Sequence, residues 1–281
     1  MRNRVYIEIT NRCNLACDFC HGTKRPLGTM PPEDFRRIAE KLRGETSYLY
    51  LHVLGEPLLH PQLKELLAIA GELGFLVCLV TNGTLLHKRR EELLAAKSLH
   101  KVSVSLHSFE GNGGAGDLPA YLQQVWDVCL PLSERGVLCA LRLWNEGTAP
   151  RLNGAVEAFL SQRIGRDVES LPRDARGNRT LRPNLFLERA ERFGWPDLHA
   201  PESGANFCHG FTRQLAVLWD GTVTPCCLDS EGDIPLGNLL SQPLEEILQG
   251  ERAAAMAAGF AARKPTEELC RRCGYARRFL K

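Results

Sequence analysis

The chain has 281 residues, long enough for one large domain and a small one. Its 44% hydrophobic and 24% charged residues are ordinary for a soluble globular protein, and a net charge of +2 creates no global field that would announce a nucleic-acid or membrane partner. The N-terminus has no apolar signal region and no apolar stretch reaches membrane-spanning length uninterrupted. The chain is therefore expected in the cytoplasm, where its eleven cysteines point to metal or redox work rather than disulfides.

Val5 to Thr10 reads as a strand. It runs into Cys13-Asn14-Leu15-Ala16-Cys17-Asp18-Phe19-Cys20, three cysteines within eight residues. Such a thiolate trio can hold three irons of a [4Fe–4S] cluster and leave the fourth iron open for chemistry. Zinc or a plain ferredoxin cluster is the competing reading. Zinc would want a fourth ligand nearby, and His21 would have to fold back past Cys20. Gly22 to Thr29 is a loop, and a helix starts in Met30–Asp34, with proline in its first turn and acids behind it, and runs to about Arg43. Strands follow at Tyr48–Leu54, Phe75–Thr81, Lys101–Leu106, Val137–Trp144 and Asn184–Glu188, alternating with helices at Pro61–Leu73, Leu85–Ala96, Pro119–Arg135 and Asn153–Arg163. Arg166 to Pro183, polar and rich in arginine, reads as a loop. The alternation predicts an α/β fold, a parallel sheet with right-handed crossovers closing as a partial (β/α)6 TIM barrel. Chemistry in such barrels sits at the C-terminal strand ends, which is where the trio falls.

Period-two alternation sorts the strand residues onto two faces. Tyr6, Glu8 and Thr10 oppose Val5, Ile7 and Ile9; Tyr48, Tyr50 and His52 oppose Leu49, Leu51 and Val53. Ser103, Ser105 and His107 oppose Val102, Val104 and Leu106, and Arg142 and Trp144 oppose Leu141 and Leu143. Helices cover the apolar faces, so the polar faces converge on a lumen lined by Glu8, His52, Ser105, His107 and Arg142. Burying those groups is costly unless they bind something polar or satisfy one another. Cys78, Cys129 and Cys139 lie among apolar residues and read as small core residues.

The C-terminal part carries Cys208, Cys226, Cys227, Cys270 and Cys273. Arg213–Trp219 and Thr222–Pro225 flank Asp220-Gly221 as a hairpin, and helical stretches at Pro243–Gln249 and Glu251–Phe260 separate it from Cys270-Arg271-Arg272-Cys273. Four thiolates from these pieces can bind zinc or a second [4Fe–4S] cluster, and spacing alone leaves both open.

The first trio, with Phe19 before its last cysteine, resembles the signature of the radical S-adenosylmethionine (SAM) superfamily. The resemblance implies that Cys13, Cys17 and Cys20 hold a [4Fe–4S] cluster whose open iron binds SAM. Reductive cleavage then yields a 5′-deoxyadenosyl radical that takes a hydrogen atom from the substrate. Leu54-Gly55-Glu56-Pro57 is similar to the superfamily's Gly-Gly-Glu-Pro motif, with Leu54 in place of the first glycine at a largely main-chain contact. By position, Phe19, Gly55, Glu56, Asn82, Ser105, His107 and Arg142 are the implied SAM-binding residues, Asn82 being equally readable as a turn residue. Cys208, a twelve-residue spacer and Gly221-x4-Cys226 resemble the opening of SPASM domains and of their shortened twitch form. This implies an auxiliary [4Fe–4S] cluster on Cys208, Cys226, Cys270 and Cys273, in a small hairpin-plus-helix domain over about 200–281 after a barrel over 1–190.

Cys227 is left over, as a packed thiol or as a hydrogen-atom donor. Arg271, Arg272, Arg277, Arg278 and Lys281 offset the cluster charge or form a solvated face, with an RNA- or phosphate-binding edge as the alternative. The implied reaction is a net oxidation of a small molecule; peptide modification and epimerisation through Cys227 stand behind it. Only twelve residues precede Cys13, which leaves no room for a leader-peptide-binding domain. A non-catalytic iron–sulfur carrier would need neither the Gly-Glu-Pro segment nor the polar lumen. The expected partners are a small-molecule or peptide substrate and an electron donor such as flavodoxin or ferredoxin, with neither membrane nor nucleic acid expected.

Overall fold

The computed structural model describes residue 2 and residues 4–279; Lys281, named above among the basic residues, lies outside them. The elements run β1 (Arg4–Ile7), α1 (Pro32–Lys41), β2 (Tyr48–Tyr50), α2 (Leu63–Glu72), β3 (Leu76–Thr81), α3 (Leu86–Ala95), β4 (Leu99–Ser105), α4 (His107–Gly111), α5 (Leu118–Glu134), β5 (Leu138–Glu146) and α6 (Asn153–Ile164). They continue β6 (Arg179–Arg182), β7 (Leu185–Glu191), β8 (Gln214–Val217), β9 (Thr222–Thr224), β10 (Gly237–Asn238), α7 (Leu244–Gln249), α8 (Glu251–Ala261) and α9 (Glu268–Arg271). One sheet joins the strands in the order β10-β9-β8-β1-β2-β3-β4-β5-β7-β6. Neighbours from β8 through β7 pair in parallel, and only the outer ladders are antiparallel. This is the partial barrel, with the C-terminal hairpin β8–β9 added beside β1.

Local chemistry accounts for the helices. Pro32 opens α1 where its missing N–H costs nothing, Glu33 and Asp34 sit at the positive end of the helix dipole, and Lys41 sits at the other end. Asp117 caps α5 by accepting the Ala120 N–H at 2.9 Å. The outward strand faces, including Val5, Ile7, Leu49, Leu51, Val102, Val104 and Leu141, pack on Phe35 and Ile38 of α1 and Leu66 of α2 in one apolar core. The opposite face is not apolar. Tyr50, His52, Lys101, Ser105, Arg142, Trp144 and Glu188 keep partial exposure inside the barrel while their strand neighbours Leu49, Leu51, Val102, Val104, Leu141, Leu143 and Leu187 are buried. Alternation therefore leaves an open, polar lumen.

Three expectations are corrected. The arginine-rich stretch before β7 is not all loop, because β6 pairs antiparallel with β7 at the sheet edge. Its alternate residues Arg179 and Leu181 are buried, and Arg179 reaches the Glu169 carboxylate at 2.6 Å. His107 does not end β4: the strand stops at Ser105 and His107 opens α4. Cys78 is buried, but on the lumen face beside Tyr50, its ladder partner on β2. Cys129 and Cys139 do lie in the apolar core. No helix among the described residues is long and apolar enough to cross a membrane.

Candidate active site

The loop after β1 carries Cys13 and Cys20 exposed and Cys17 half-buried, all as free thiols. It is docked on α4: Asp18 N–H donates to the Gly111 carbonyl at 2.8 Å, Ala16 N–H to Asn112 Oδ1 at 2.9 Å, and Cys17 Sγ lies 3.7 Å from the Ser108 carbonyl. Burial pushes the Cys17 thiol up to about 12, and the neighbouring Cys13 and Cys20 thiols add to the shift. Neighbouring thiols that oppose one another's ionisation favour a cationic group bound between them. The Phe19 ring packs on the His107 ring with centroids 4.8 Å apart, and its carbonyl accepts the Trp195 indole N–H at 2.9 Å.

Gly55 and Glu56 lie directly against this loop. Gly55 has φ +76, and a Cβ there would overlap the Thr10 carbonyl oxygen, so only glycine fits. Glu56 N–H donates to the Arg12 carbonyl at 2.8 Å. Its buried carboxylate accepts the Leu58 N–H at 3.0 Å, the Thr81 hydroxyl at 2.7 Å and the Asn82 N–H at 2.7 Å. All three donors are neutral, and Glu56 has no cationic partner among the described residues. Burial accordingly pushes the acid up to about 7 against the pull of those hydrogen bonds.

Asn82 is a clamp on the cysteine loop. Its side-chain Nδ2 donates to Asn14 Oδ1 at 3.0 Å and its side-chain Oδ1 accepts the Thr84 N–H and hydroxyl at 2.9 and 2.7 Å. His107 spends Nδ1 on the Arg142 carbonyl at 3.1 Å, and burial holds its pKa down. Beside Phe19 and His107 a cavity of about 230 Å³ opens at the barrel mouth, walled also by Asp18, Glu110, Trp144 and Arg192. Arg142 does not stand alone: its Nε donates to Glu188 Oε2 at 3.0 Å, Lys101 donates to the other oxygen at 2.9 Å, and the guanidinium lies 4.3 Å from the Trp144 ring centre.

Away from the trio, Cys208, Cys226, Cys270 and Cys273 line one small, overwhelmingly apolar cavity, with Asp229 and Tyr275 also in its wall. Burial raises all four thiols. Cys227 is not in that wall. It packs instead into the lumen against the cluster of Tyr6, Val53, Ala216 and Leu218, where burial lifts its thiol to about 11. The basic residues near the last cysteines are largely engaged: Arg271 with Glu202, Arg272 with Glu268, and Arg278 over the Tyr275 ring.

Comparison with known proteins finds two sequence families, the radical SAM superfamily over residues 7–125 and an iron–sulfur cluster-binding domain of the SPASM type over residues 208–274. The chain belongs to the radical SAM superfamily. This radical SAM chain is 38% identical over 74 residues to the 7,8-dihydro-6-hydroxymethylpterin dimethyltransferase of Methanocaldococcus jannaschii, a match covering 25% of this chain and only 15% of that protein. It is 25% identical over 273 residues to a probable GTP 3′,8-cyclase of Methanothermobacter marburgensis, covering 84% of this chain and 87% of that one. Among solved structures it shares its fold with native anSMEcpe with bound AdoMet, at a TM-score of 0.63 and 15% identity over 98% of this chain and 87% of that one. It shares it equally with BtrN in complex with AdoMet and 2-DOIA, at 0.56 and 16% over 97% and 93%.

The cofactors of a radical SAM chain with a SPASM domain are SAM and two iron–sulfur clusters. The residues present fit them. A trio of neighbouring thiols lies beside a buried carboxylate that lacks a cation, and four thiols share one small apolar cavity. No group of three or more His, Cys, Asp and Glu side chains among the described residues is arranged for a single metal ion. Sequence reasoning passed over Arg25, Lys101, Glu188 and Trp195. Lys101 was legible, because it shares the inward parity of Ser103 and Ser105; the partner of Glu8 carried no local signal.

Proposed function

We propose that Cys13, Cys17 and Cys20 hold the catalytic cluster, that Phe19, Gly55, Glu56, Asn82, Ser105 and His107 form the SAM site, and that Cys208, Cys226, Cys270 and Cys273 hold the auxiliary cluster. When bound, these groups supply a 5′-deoxyadenosyl radical and an electron acceptor. The protein's part is placement. Glu56 offers a buried negative charge for an ammonium, Asn82 fixes the cysteine loop through Asn14, and the lumen holds a polar substrate away from bulk water. The reaction we favour is a net two-electron oxidation of that substrate. The observation that carries it is the convergence of the four C-terminal cysteines on one cavity. The names of the relatives and neighbours span a nucleotide cyclase, a pterin dimethyltransferase and a complex with 2-DOIA, so they support the chemistry and not one substrate.

The test is anaerobically reconstituted protein with SAM and a strong reductant, assayed for 5′-deoxyadenosine. Release is expected from wild type and not from the protein with Cys13, Cys17 and Cys20 all replaced by alanine; equal turnover in both would sink the reading. A second reading, epimerisation with Cys227 returning a hydrogen atom, is favoured by one observation, the position of that thiol in the lumen beside Tyr6. In deuterated water it predicts deuterium at the reacting carbon of the product, which simple oxidation does not.

A further inference from the structure

The lumen wall carries more positive charge than it neutralises. Lys101 and Arg142 share the single Glu188 carboxylate. Arg4, whose guanidinium lies 3.4 Å from the Tyr6 hydroxyl and over the Tyr50 ring, pairs with no carboxylate among the described residues. Of the other two inward acids, Glu8 is already taken by Arg25, and Glu56 is held by the neutral donors Leu58, Thr81 and Asn82 beside the cysteine loop. Arg142 spends only Nε on Glu188; its two Nη nitrogens have no hydrogen-bond partner among the described residues, and stacking on Trp144 fixes the plane in which they lie.

A second unspent group belongs to the same space. His52 stands edge-on to the Tyr6 ring at 5.3 Å, and its Nδ1 is buried without a partner. Burial, helped by the Arg142 charge, holds this imidazole down to about 3, so it is a neutral donor or acceptor and adds no charge of its own. Leaving a buried polar atom unmatched is costly, and a guanidinium edge with two free N–H groups is the natural seat of a planar or tetrahedral oxyanion.

We propose that the substrate is an anion, and that its carboxylate or phosphate docks in the lumen on the Nη edge of Arg142 with the His52 imidazole N–H beside it. Arg142 is then a substrate-positioning residue rather than a ligand of the SAM carboxylate. The inference rests on the functional reading above, because it takes the lumen as the substrate chamber. It narrows the substrate to molecules or peptide side chains that present an oxyanion.

The experiment uses enzyme with both clusters reconstituted and S-adenosylhomocysteine bound, so that the cofactor's own carboxylate is in place and no cleavage occurs. After photoreduction the catalytic cluster is paramagnetic, and a bound anion relaxes faster. The probes are inorganic phosphate, read by its phosphorus signal, and carboxyl-labelled acetate, read by its carbon signal. Faster relaxation is expected for at least one probe. Losing a charge-assisted contact should weaken that probe's binding by about tenfold or more in Arg142→Gln, with partial recovery in Arg142→Lys. His52→Leu, which leaves the ion pairs intact, should weaken it as well and guards against misfolding of the first variant. A response to phosphate alone supports a phosphorylated substrate, and one to acetate alone a carboxylate. No enhancement for either probe overturns the proposal, as does enhancement that Arg142→Gln leaves intact. A fall in SAM affinity in Arg142→Gln also overturns it, by giving the guanidinium to the cofactor. Release of 5′-deoxyadenosine, measured on the same preparations, fails separately if the radical SAM reading of the site is wrong.

Discussion

One nitrogen of the Arg25 guanidinium sits 2.7 and 2.8 Å from the two oxygens of Glu8, a carboxylate with no solvent exposure at the top of β1. The same carboxylate accepts the N–H of Leu54, beside the Gly-Glu-Pro segment, and that of Trp219, at the tip of the C-terminal hairpin, each at 3.3 Å. Arg25 in turn donates through Nε to the Ser230 carbonyl at 2.8 Å. Four segments distant in sequence meet at one ion pair: the strand before the cysteine loop, the loop after it, the Gly-Glu-Pro turn and the auxiliary-cluster region. Trp219 also lies where a Cβ on Gly28 would be, so the hairpin tip and this loop are packed without a gap.

Removing Arg25 should therefore cost more than an ordinary surface substitution. An uncompensated buried carboxylate destabilises by about 3–5 kcal/mol. Arg25→Met is expected to lower the unfolding free energy measured by denaturant titration by that amount, while Arg25→Met combined with Glu8→Met should be clearly less destabilised than the single variant. A double variant as unstable as the sum of the two singles would show that the pair has no mutual coupling.

Glu56 predicts a pH dependence of cofactor affinity. Burial, with only neutral donors to oppose it, pushes the acid up to about 7 in the SAM-free protein. An ammonium bound beside it favours the ionised form, so binding lowers its pKa and expels a proton. SAM affinity should then rise as pH goes from 6 to 7, by up to about tenfold per unit, and level off once Glu56 is ionised without ligand. Titrations of unreduced protein in wild type and Glu56→Gln decide this: the variant should bind more weakly, by about one to two orders of magnitude, and lose the slope. The same slope in both would assign the proton elsewhere.

The two adjacent thiols Cys226 and Cys227 predict opposite iron counts. Cys226 lines the four-cysteine cavity and Cys227 faces Tyr6 in the lumen. The two residues are not extended but sit in the bend and turn that follow β9, which brings one thiol to the cavity and the other to Tyr6, so only one of them can serve the cluster. Reconstituted wild type should hold about eight irons per chain, from two four-iron clusters. Cys226→Ala should lose up to about four of them, or keep them labile, and Cys227→Ala should keep them all. Iron analysis with absorbance at each stage reads both, and equal losses would contradict the orientation seen here.

Much of the scaffold was legible because its signals are local. Alternation with period two placed Tyr6, His52, Ser105 and Arg142 on inward faces, since a strand turns each side chain relative to its immediate neighbours whatever lies beyond. The cysteine spacings, the glycine of Gly-Glu-Pro and the hairpin around Asp220-Gly221 are equally short-range, and each appears where its sequence neighbourhood put it. The arginine-rich β6 was missed because an edge strand needs only one partner, and β7 was needed to reveal it.

What sequence alone could not decide is which polar group meets which. Glu8, Glu56 and Glu188 are three inward acids of the same chemistry. Glu8 is bound to Arg25, Glu188 is shared by Lys101 and Arg142, and Glu56 is left with neutral donors. The cations on Glu8 and Glu188 lie between 17 and 87 residues away along the chain, and no local preference encodes such distances. The same holds for the neighbours Cys226 and Cys227, alike as residues and separated in role only by the surfaces that packing brings to each side of one backbone. Local sterics wrote the faces of this barrel into the sequence; the division of its charges into spent and unspent arose only when the strands and the C-terminal hairpin closed around them.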